Sequence, residues 1–293
     1  MRLHIKNWVL AARPKTLWAS IAPVLIGTAM AFDVTIINIP AVIVTLLCAV
    51  LIQIATNYAN DYFDFIKGVD KFDRIGPTRV TQAGLIQPQH IKKAYILLFI
   101  LAFIFGLYLV WIGGWPILLI GLLSILFGIL YTAGPFPLGY NGLGDIFVII
   151  FFGPVAVGGT YYIQTFNINW IVILSGFAPG LISTAILTVN NLRDINSDRT
   201  TGKKTLAVRF GKTFTRLEYL ICLFIACLIP LLIFVFENDH SNLIFTSFIF
   251  FLAFPAIRSV FINKIDTGLN VILAQTGIFL ILYSILFSIT WNL

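Results

Sequence analysis

The chain has 293 residues, of which 59% are hydrophobic and only 11% are charged, and its mean hydropathy is +0.97. Because an ordinary soluble domain has about a quarter charged residues, this composition excludes a water-covered surface and predicts an integral membrane protein. The net charge of +7 is typical of the cytoplasmic loops of a multi-pass protein, and we therefore predict no binding to nucleic acid.

Nine apolar segments are long enough to cross a bilayer as helices, which takes about 20 residues each. No polar linker or low-complexity tract interrupts them, so we predict one all-α membrane domain over residues 1–293 with nine transmembrane helices. In chain order the segments are 16–33, 39–62, 93–112, 115–132, 144–163, 168–190, 217–236, 242–262 and 268–290.

The basic residues all fall on one face of this predicted topology. If nine spans alternate in direction, all 19 Lys and Arg residues lie at the N-terminus, in the loops after the second, sixth and eighth spans, or in the span ends that border these loops. The opposite face has Asp33, Glu237 and Asp239 and no basic residue. Basic loops stay in the cytoplasm, so we predict a protein of the bacterial cytoplasmic (inner) membrane whose N-terminus and polar loops are cytoplasmic.

The second span ends in an acidic stretch, "NYANDYFDFIKGVDKFDRIGPTRV". Asn60 and Asp64 are four residues apart and therefore share one helix face. Asp61 and Asp70 lie close to them in the sequence, and Gly68 is placed to end the helix. A cluster of carboxylates is unexpected in a chain so poor in acidic residues.

A second acidic stretch, "VNNLRDINSDRTTGKKTL", follows the sixth span. Asn190, Asp194 and Asp198 again lie on one face at steps of four residues. The Asn-x-x-x-Asp pattern thus recurs at the matching end of a later span. We infer two related four-helix halves, with the ninth helix as an addition.

Carboxylate and amide oxygens suit Mg²⁺, which binds a few carboxylates together with substrate phosphates. Both stretches also contain Lys and Arg, which neutralise phosphate charge. The alternative is that these residues form solvated surface ion pairs of little energetic value. The predicted metal ligands are Asn60, Asp61, Asp64, Asp70, Asn190, Asp194 and Asp198, and the predicted diphosphate-binding residues are Lys67, Arg74, Arg79, Arg193, Arg199, Lys203 and Lys204.

The two motifs resemble those of the UbiA superfamily of intramembrane prenyltransferases. Longer strings, among them "DRIGPTR" and "LYTAGPFPLGYNGLGD", are similar to the branch that prenylates 1,4-dihydroxy-2-naphthoate in menaquinone synthesis. The resemblance covers residues 11–215. The superfamily's N-x-x-x-D followed by a further Asp, and its D-x-x-x-D, are matched here by Asn60, Asp64 and Asp70, and by Asp194 and Asp198.

One position departs from the superfamily pattern. Many members have the last Asp of the first motif four residues after the middle one, where this chain has Gly68. Either Asp70 or Asp73 then completes the motif, and the sequence leaves both open.

The resemblance implies a UbiA-type bundle that transfers a polyprenyl group from polyprenyl diphosphate to dihydroxynaphthoate. Mg²⁺ would assist departure of the diphosphate, CO₂ would be lost from the acceptor, and the product would be a demethylmenaquinol. No obligate protein partner is implied. The residues implied in catalysis are Asp64, Asp194, Asp198 and Tyr131.

Three further side chains have two interpretations each. Tyr131 is a candidate to stabilise an allylic cation through its ring, or simply a packing residue. Arg13 is a candidate to bind the acceptor's carboxylate, or an anchor that fixes the topology. Asp145 is a candidate acceptor ligand, or a residue that stabilises a helix N-terminus.

Two rival functions remain open from the sequence. The first keeps the reaction and changes the acceptor to 4-hydroxybenzoate, homogentisate, haem or a chlorophyll precursor. The second is a secondary transporter, because repeated halves and acidic residues near broken helices also occur there. Transport sites lie near the bilayer midplane, whereas these acidic residues lie at the ends of spans among basic ones.

Overall fold

The computed structural model describes residues 2–69, 75–237, 240–262 and 265–293, with side chains from Ile5 onward. Within these ranges every regular element is helical and no strand occurs. The α-helices are α1 Arg2–Ala12, α2 Trp18–Phe32, α3 Ile39–Ile66, α4 Pro88–Gly113, α5 Trp115–Leu130, α6 Gly144–Phe151, α7 Pro154–Thr165, α8 Trp170–Thr200, α9 Leu206–Phe236, α10 Ile244–Ser247, α11 Phe250–Ile262 and α12 Leu269–Trp291.

Seven segments of the described chain are long and apolar enough to cross a membrane: α3, α4, α6 with α7, α8, α9, Ser241–Ile262 and α12. Together α1 and α2 form an eighth, bent by 51°. The predicted fourth span is α5, whose 16 residues reach about 24 Å, less than a bilayer core of about 30 Å. The all-helical membrane architecture is confirmed, and the count of nine spans is not.

The helix α3 ends where the sequence predicts. The Val69 N–H donates to the Asp64 carbonyl at 3.0 Å, and the Gly68 N–H donates to the Phe65 carbonyl at 3.0 Å. Gly68 has φ +62°, a left-handed conformation that glycine adopts without steric cost. These bonds form a Schellman cap, which confirms Gly68 as the residue that stops the helix.

The helix α8 ends in the same cap. The Lys203 N–H donates to the Asp198 carbonyl at 3.0 Å, the Gly202 N–H donates to the Arg199 carbonyl at 3.4 Å, and Gly202 has φ +77°. The caps therefore make Asp198 the equivalent of Asp64. The repeated Asn-x-x-x-Asp pattern had paired Asp64 with Asp194, one turn earlier, because sequence spacing alone does not show where a helix ends.

Three hydrophobic cores hold the described helices together, the smallest of them between α3, α4, α5 and α7. The largest core is built by α2, α7, α8, α9, α11 and α12, and a second core is built by α1, α3 and α4. The acidic helix α3 thus belongs to one core and the acidic helix α8 to the other. Their polar ends meet at one end of the bundle.

The span formed by α6 and α7 is broken at Gly153, and α7 starts at Pro154. Two glycines of α8 face this break. A Cβ on Gly180 would lie 2.3 Å from the Ile149 carbonyl oxygen, and a Cβ on Gly176 would lie 2.7 Å from the Cα of Pro154. Small residues in a membrane bundle let backbones approach this closely, so the break is seated directly against α8.

We predict that Gly180→Ala destabilises the protein. Its new methyl group would meet the backbone of α6, and overpacking of this kind costs about 1–3 kcal/mol. The measurement is the melting temperature of the protein in detergent. The control is Gly106→Ala in α4, where a Cβ meets nothing within 4 Å and the helix should gain slightly in stability. Equal melting temperatures for both variants would contradict the close approach.

Candidate active site

A cavity of about 390 Å³ opens at the end of the bundle where α3, α5 and α8 finish. Both acidic motifs contribute to its lining, so residues far apart in the sequence border one space. The predicted site residues that line it are Arg13, Asn60, Asp64, Arg79, Tyr131, Asn190, Asp194, Asp198 and Lys203.

The rest of the cavity is mostly apolar and is lined by residues of the helices α2 to α8. Along α3 its lining extends from Asp64 to Thr45, a distance of about 28 Å at the rise of an α-helix. Phe103 and Leu107 of α4 and Leu122 of α5 line it and are also 40%, 47% and 46% exposed. The cavity therefore opens sideways between α4 and α5, on a surface of apolar side chains.

Asp64 has three polar partners at the polar end of the cavity. The Tyr140 hydroxyl donates to its Oδ1, Arg79 Nη2 donates to its Oδ2 at 2.9 Å, and Lys203 Nζ lies 3.5 Å from its Oδ1. Lys203 comes from the loop after α8. Its ion pair with Asp64 is thus a direct contact between the ends of the two acidic helices.

Tyr140 organises two of the predicted basic residues. The ammonium groups of Lys67 and Lys203 lie 4.8 Å and 4.5 Å from its ring centroid, within the range of cation–π attraction. Lys67 also donates to the Thr132 carbonyl at 2.8 Å. Burial lowers the pKa of Lys67, the Asp64 carboxylate opposes this shift, and the charge of Lys203 adds to it.

Arg193 is buried behind the second motif. It is 1% exposed and donates to both carboxylate oxygens of Asp194 at 2.8 Å, to Asn190 Oδ1 at 2.6 Å and to Asn270 Oδ1 at 2.8 Å. The sequence predicts a diphosphate ligand here. In the structure the Arg193 guanidinium does not line the cavity. It holds Asp194 and Asn190, which do line it.

Asp61 also lies behind the cavity rather than on its wall. Its side chain is 2% exposed and lies close to the backbone of Val80 and Thr81. These two residues directly follow Arg79, the partner of Asp64. Asp61 was predicted as a metal ligand, and its observed contacts are those of a residue that holds the segment after Arg79.

Asp145 lies in the first turn of α6 and is 4% exposed. It does not line the cavity, and its neighbour Gly144 packs under the Tyr131 hydroxyl, which lies 3.1 Å from a Cβ built at that glycine. This position fits the helix N-terminus interpretation better than contact with an acceptor. Lys204 and Arg199 are exposed and likewise do not line the cavity.

Two residues near the site, Asn57 and Thr132, were not identified as contact residues from the sequence. Asn57 donates to the Ala12 carbonyl at 2.9 Å and lies 3.4 Å from Thr16 Oγ1. These bonds hold the turn of Arg13, whose φ of +52° is unusual for a side chain of this size. Thr132, which donates to Asn60 Oδ1, lies in the quoted central loop, so the resemblance contained a signal for it.

The residues at the polar end fit a divalent cation that also carries ligand oxygens. Asp70, Asp73 and Arg74 lie outside the described residues. Within the described ranges no three His, Cys, Asp or Glu side chains form a ready-made metal cluster. Carboxylate and amide oxygens nevertheless converge at the C-terminal ends of two helices, where the dipole favours positive charge, and such oxygens are the ligands that Mg²⁺ prefers.

Several known proteins are similar to this chain in sequence or in fold. The model of the UbiA prenyltransferase family matches residues 20–271. The 1,4-dihydroxy-2-naphthoate octaprenyltransferase of Haemophilus influenzae is 38% identical over 97% of this chain and 95% of its own, and that of Escherichia coli is 42% identical over 85% and 82%. The solved UbiA homolog from Archaeoglobus fulgidus bound to GPP and Mg²⁺ covers 98% of this chain and 100% of its own, with a TM-score of 0.68 at 16% identity.

The structural likeness, at that identity, shows the shared fold, and the sequence matches extend over most of the chain. This protein belongs to the UbiA prenyltransferase family.

Proposed function

We propose that this protein transfers the polyprenyl group of a polyprenyl diphosphate to 1,4-dihydroxy-2-naphthoate, which gives a demethylmenaquinol, diphosphate and CO₂. The observation that carries this proposal is one cavity with both acidic motifs at its polar end and apolar walls beyond them. The relatives of known acceptor support the choice of dihydroxynaphthoate. Their names specify an octaprenyl donor, and a cavity open to lipid accommodates a tail of that length.

The diphosphate is assigned to the polar end, with Asn60, Asp64, Asn190, Asp194 and Asp198 as the metal ligands within the described chain. When bound there, Mg²⁺ supplies the positive charge that favours departure of the diphosphate.

The basic residues divide into two groups. Arg79 and Lys203 line the same end of the cavity and neutralise the charge that develops on the leaving group. Lys67, Arg199 and Lys204 lie around the entrance and attract the anionic substrate.

The reaction balances without a further reactant. The allylic C–O bond breaks and its electron pair leaves with the diphosphate. The ring carbon that bears the acceptor's carboxylate supplies the pair for the new C–C bond. When the carboxylate departs as CO₂, the pair of the broken C–C bond stays with the ring, which restores its aromaticity.

The cavity walls shield the allylic cation from water. The ring of Tyr131 borders the cavity and stabilises an allylic cation by its electron-rich face. Arg13, held in its turn by Asn57, binds the acceptor's carboxylate. Apolar walls keep water away from the cation, since water would capture it as a free alcohol.

We place the polar end of the cavity on the cytoplasmic side of the bacterial inner membrane, in a single domain with nine spans. The basic residues of the described chain support this side by the positive-inside rule. The helix α5 is shorter than the bilayer core, so the bilayer would be locally thinner where α5 crosses it.

The acceptor assignment is tested by incubating the purified protein in lipid with geranylgeranyl diphosphate and a panel of aromatic acceptors. We expect a prenylated product and one CO₂ per diphosphate with dihydroxynaphthoate, and none with 4-hydroxybenzoate. A chelator should abolish the reaction and Mg²⁺ should restore it. Turnover of 4-hydroxybenzoate in place of dihydroxynaphthoate would overturn the assignment.

The acidic residues are tested by Asp64→Asn, Asp194→Asn and Asp198→Asn. Each variant loses a charged oxygen ligand, and we expect kcat to fall by about 100-fold or more. The matched control is Asp33→Asn, because Asp33 pairs with His240 outside the cavity. Wild-type rates in any of the three cavity variants would remove that residue from the proposed site.

The orientation is tested by labelling in intact cells with a membrane-impermeant maleimide. Cys48, Cys222 and Cys227 are buried, so the background should be low. We expect Asn167→Cys to be labelled from outside and Arg199→Cys only after the cells are opened, since both positions are exposed at opposite ends of α8. The reverse pattern would invert the proposed topology.

A further inference from the structure

Asn270 bonds in two directions from the first turn of α12, a helix that carries no acidic motif. Its Oδ1 accepts from Arg193 Nη1 at 2.8 Å, and its Nδ2 donates to the Ile75 carbonyl at 3.4 Å. An amide side chain is both acceptor and donor. Asn270 can therefore join a guanidinium to a backbone carbonyl, which neither Asp nor Leu can do.

The two directions lead to the two acidic motifs. On one side, Arg193 donates to Asp194 and to Asn190, and both of these line the cavity. On the other side, Ile75 lies in the loop that follows the first motif, four residues before Arg79.

That loop is fixed to the first motif as well. Arg79 pairs with Asp64 at 2.9 Å. Asn270 consequently stands between the second motif and the segment that is bonded to the first.

One direct bridge between the motifs cannot keep their spacing during the reaction. It is the ion pair of Lys203 with Asp64, and the proposed function requires both side chains for the diphosphate and its metal. Arg193 and Asn270 do not line the cavity. Their bond is therefore free to persist when substrate enters.

We propose that Asn270 is a positioning residue that sets the separation and orientation of the two acidic helix ends, through Arg193 on one side and the Ile75 carbonyl on the other. This inference rests on the proposed function, because the orientation that it maintains is the one in which both motifs share a cation–diphosphate complex. Groups that orient metal ligands typically change metal affinity by about 10–100-fold when removed.

The test is a binding titration of the full-length protein in detergent with Mn²⁺ in the presence of inorganic pyrophosphate, with free Mn²⁺ measured by electron paramagnetic resonance. We expect Asn270→Ala to weaken Mn²⁺ binding by about tenfold. Asn270→Asp keeps an acceptor for Arg193 and loses the donor to Ile75, so its loss should be smaller. The same variants should need correspondingly more Mg²⁺ for half-maximal prenyl transfer.

The matched control is Asn292→Ala at the other end of α12. Asn292 also bonds to a neighbouring helix, since its Nδ2 donates to the Ala29 carbonyl at 3.1 Å, and it does not line the cavity. We expect wild-type Mn²⁺ affinity for this variant. Melting temperatures without metal report folding, and if Asn270→Ala is poorly folded the isosteric Asn270→Asp carries the test.

A double-mutant cycle identifies the route. If Asn270 acts through Arg193, then Asn270→Ala should add little to the Mn²⁺ affinity lost in Arg193→Lys. Additive losses would overturn the proposed route. An equal loss in Asn292→Ala would overturn the positioning role itself.

The failure of this inference is distinguishable from that of the proposed function. Wild-type affinity in Asn270→Ala, together with lost binding in Asp64→Asn, would overturn the positioning role and leave the proposed function in place. If the unmodified protein binds no Mn²⁺ with pyrophosphate, the proposed function and this inference both fall.

Discussion

The site depends on the meeting of two helix ends that carry carboxylates against their own dipoles. The caps of α3 and α8 place Asp64 and Asp198 in the last turn of each helix, where the dipole disfavours negative charge. Lys203 links them, since its N–H donates to the Asp198 carbonyl and its ammonium pairs with Asp64. This arrangement calls for positive charge, and a divalent cation would meet the same requirement in the proposed reaction.

The remainder of the fold gives that charged end an apolar extension. The helices α3 and α8 belong to different cores, and both line the cavity together with α2 and α4 to α7. Close approach at Gly176 and Gly180 seats the broken α6–α7 span against α8. Charged groups in a bilayer are costly. A cavity that is polar only at its mouth therefore suits a substrate with a charged head and an apolar tail.

Two buried polar residues near the site contact other protein groups and do not line the cavity. Arg193 donates to Asp194 and Asn190, and Asp61 lies beside Val80 and Thr81 in the segment after Arg79. They are as buried and as polar as the residues that face the cavity, so residue type alone does not separate the two groups. Whether a side chain faces the cavity or another protein group depends on the neighbouring helices that pack around it.

The sequence by itself determined the all-helical membrane class, the end of α3 at Gly68, and nine of the residues that line the cavity, because hydropathy, glycine caps and four-residue spacing are local properties. It did not determine that Arg193 and Asp61 turn away from the cavity, that the caps pair Asp64 with Asp198, or that α5 is short. It contained no signal for Asn270, which is one of two amide residues in the last apolar segment. Only tertiary structure decided these points, since they depend on contacts between helices that are distant in the chain.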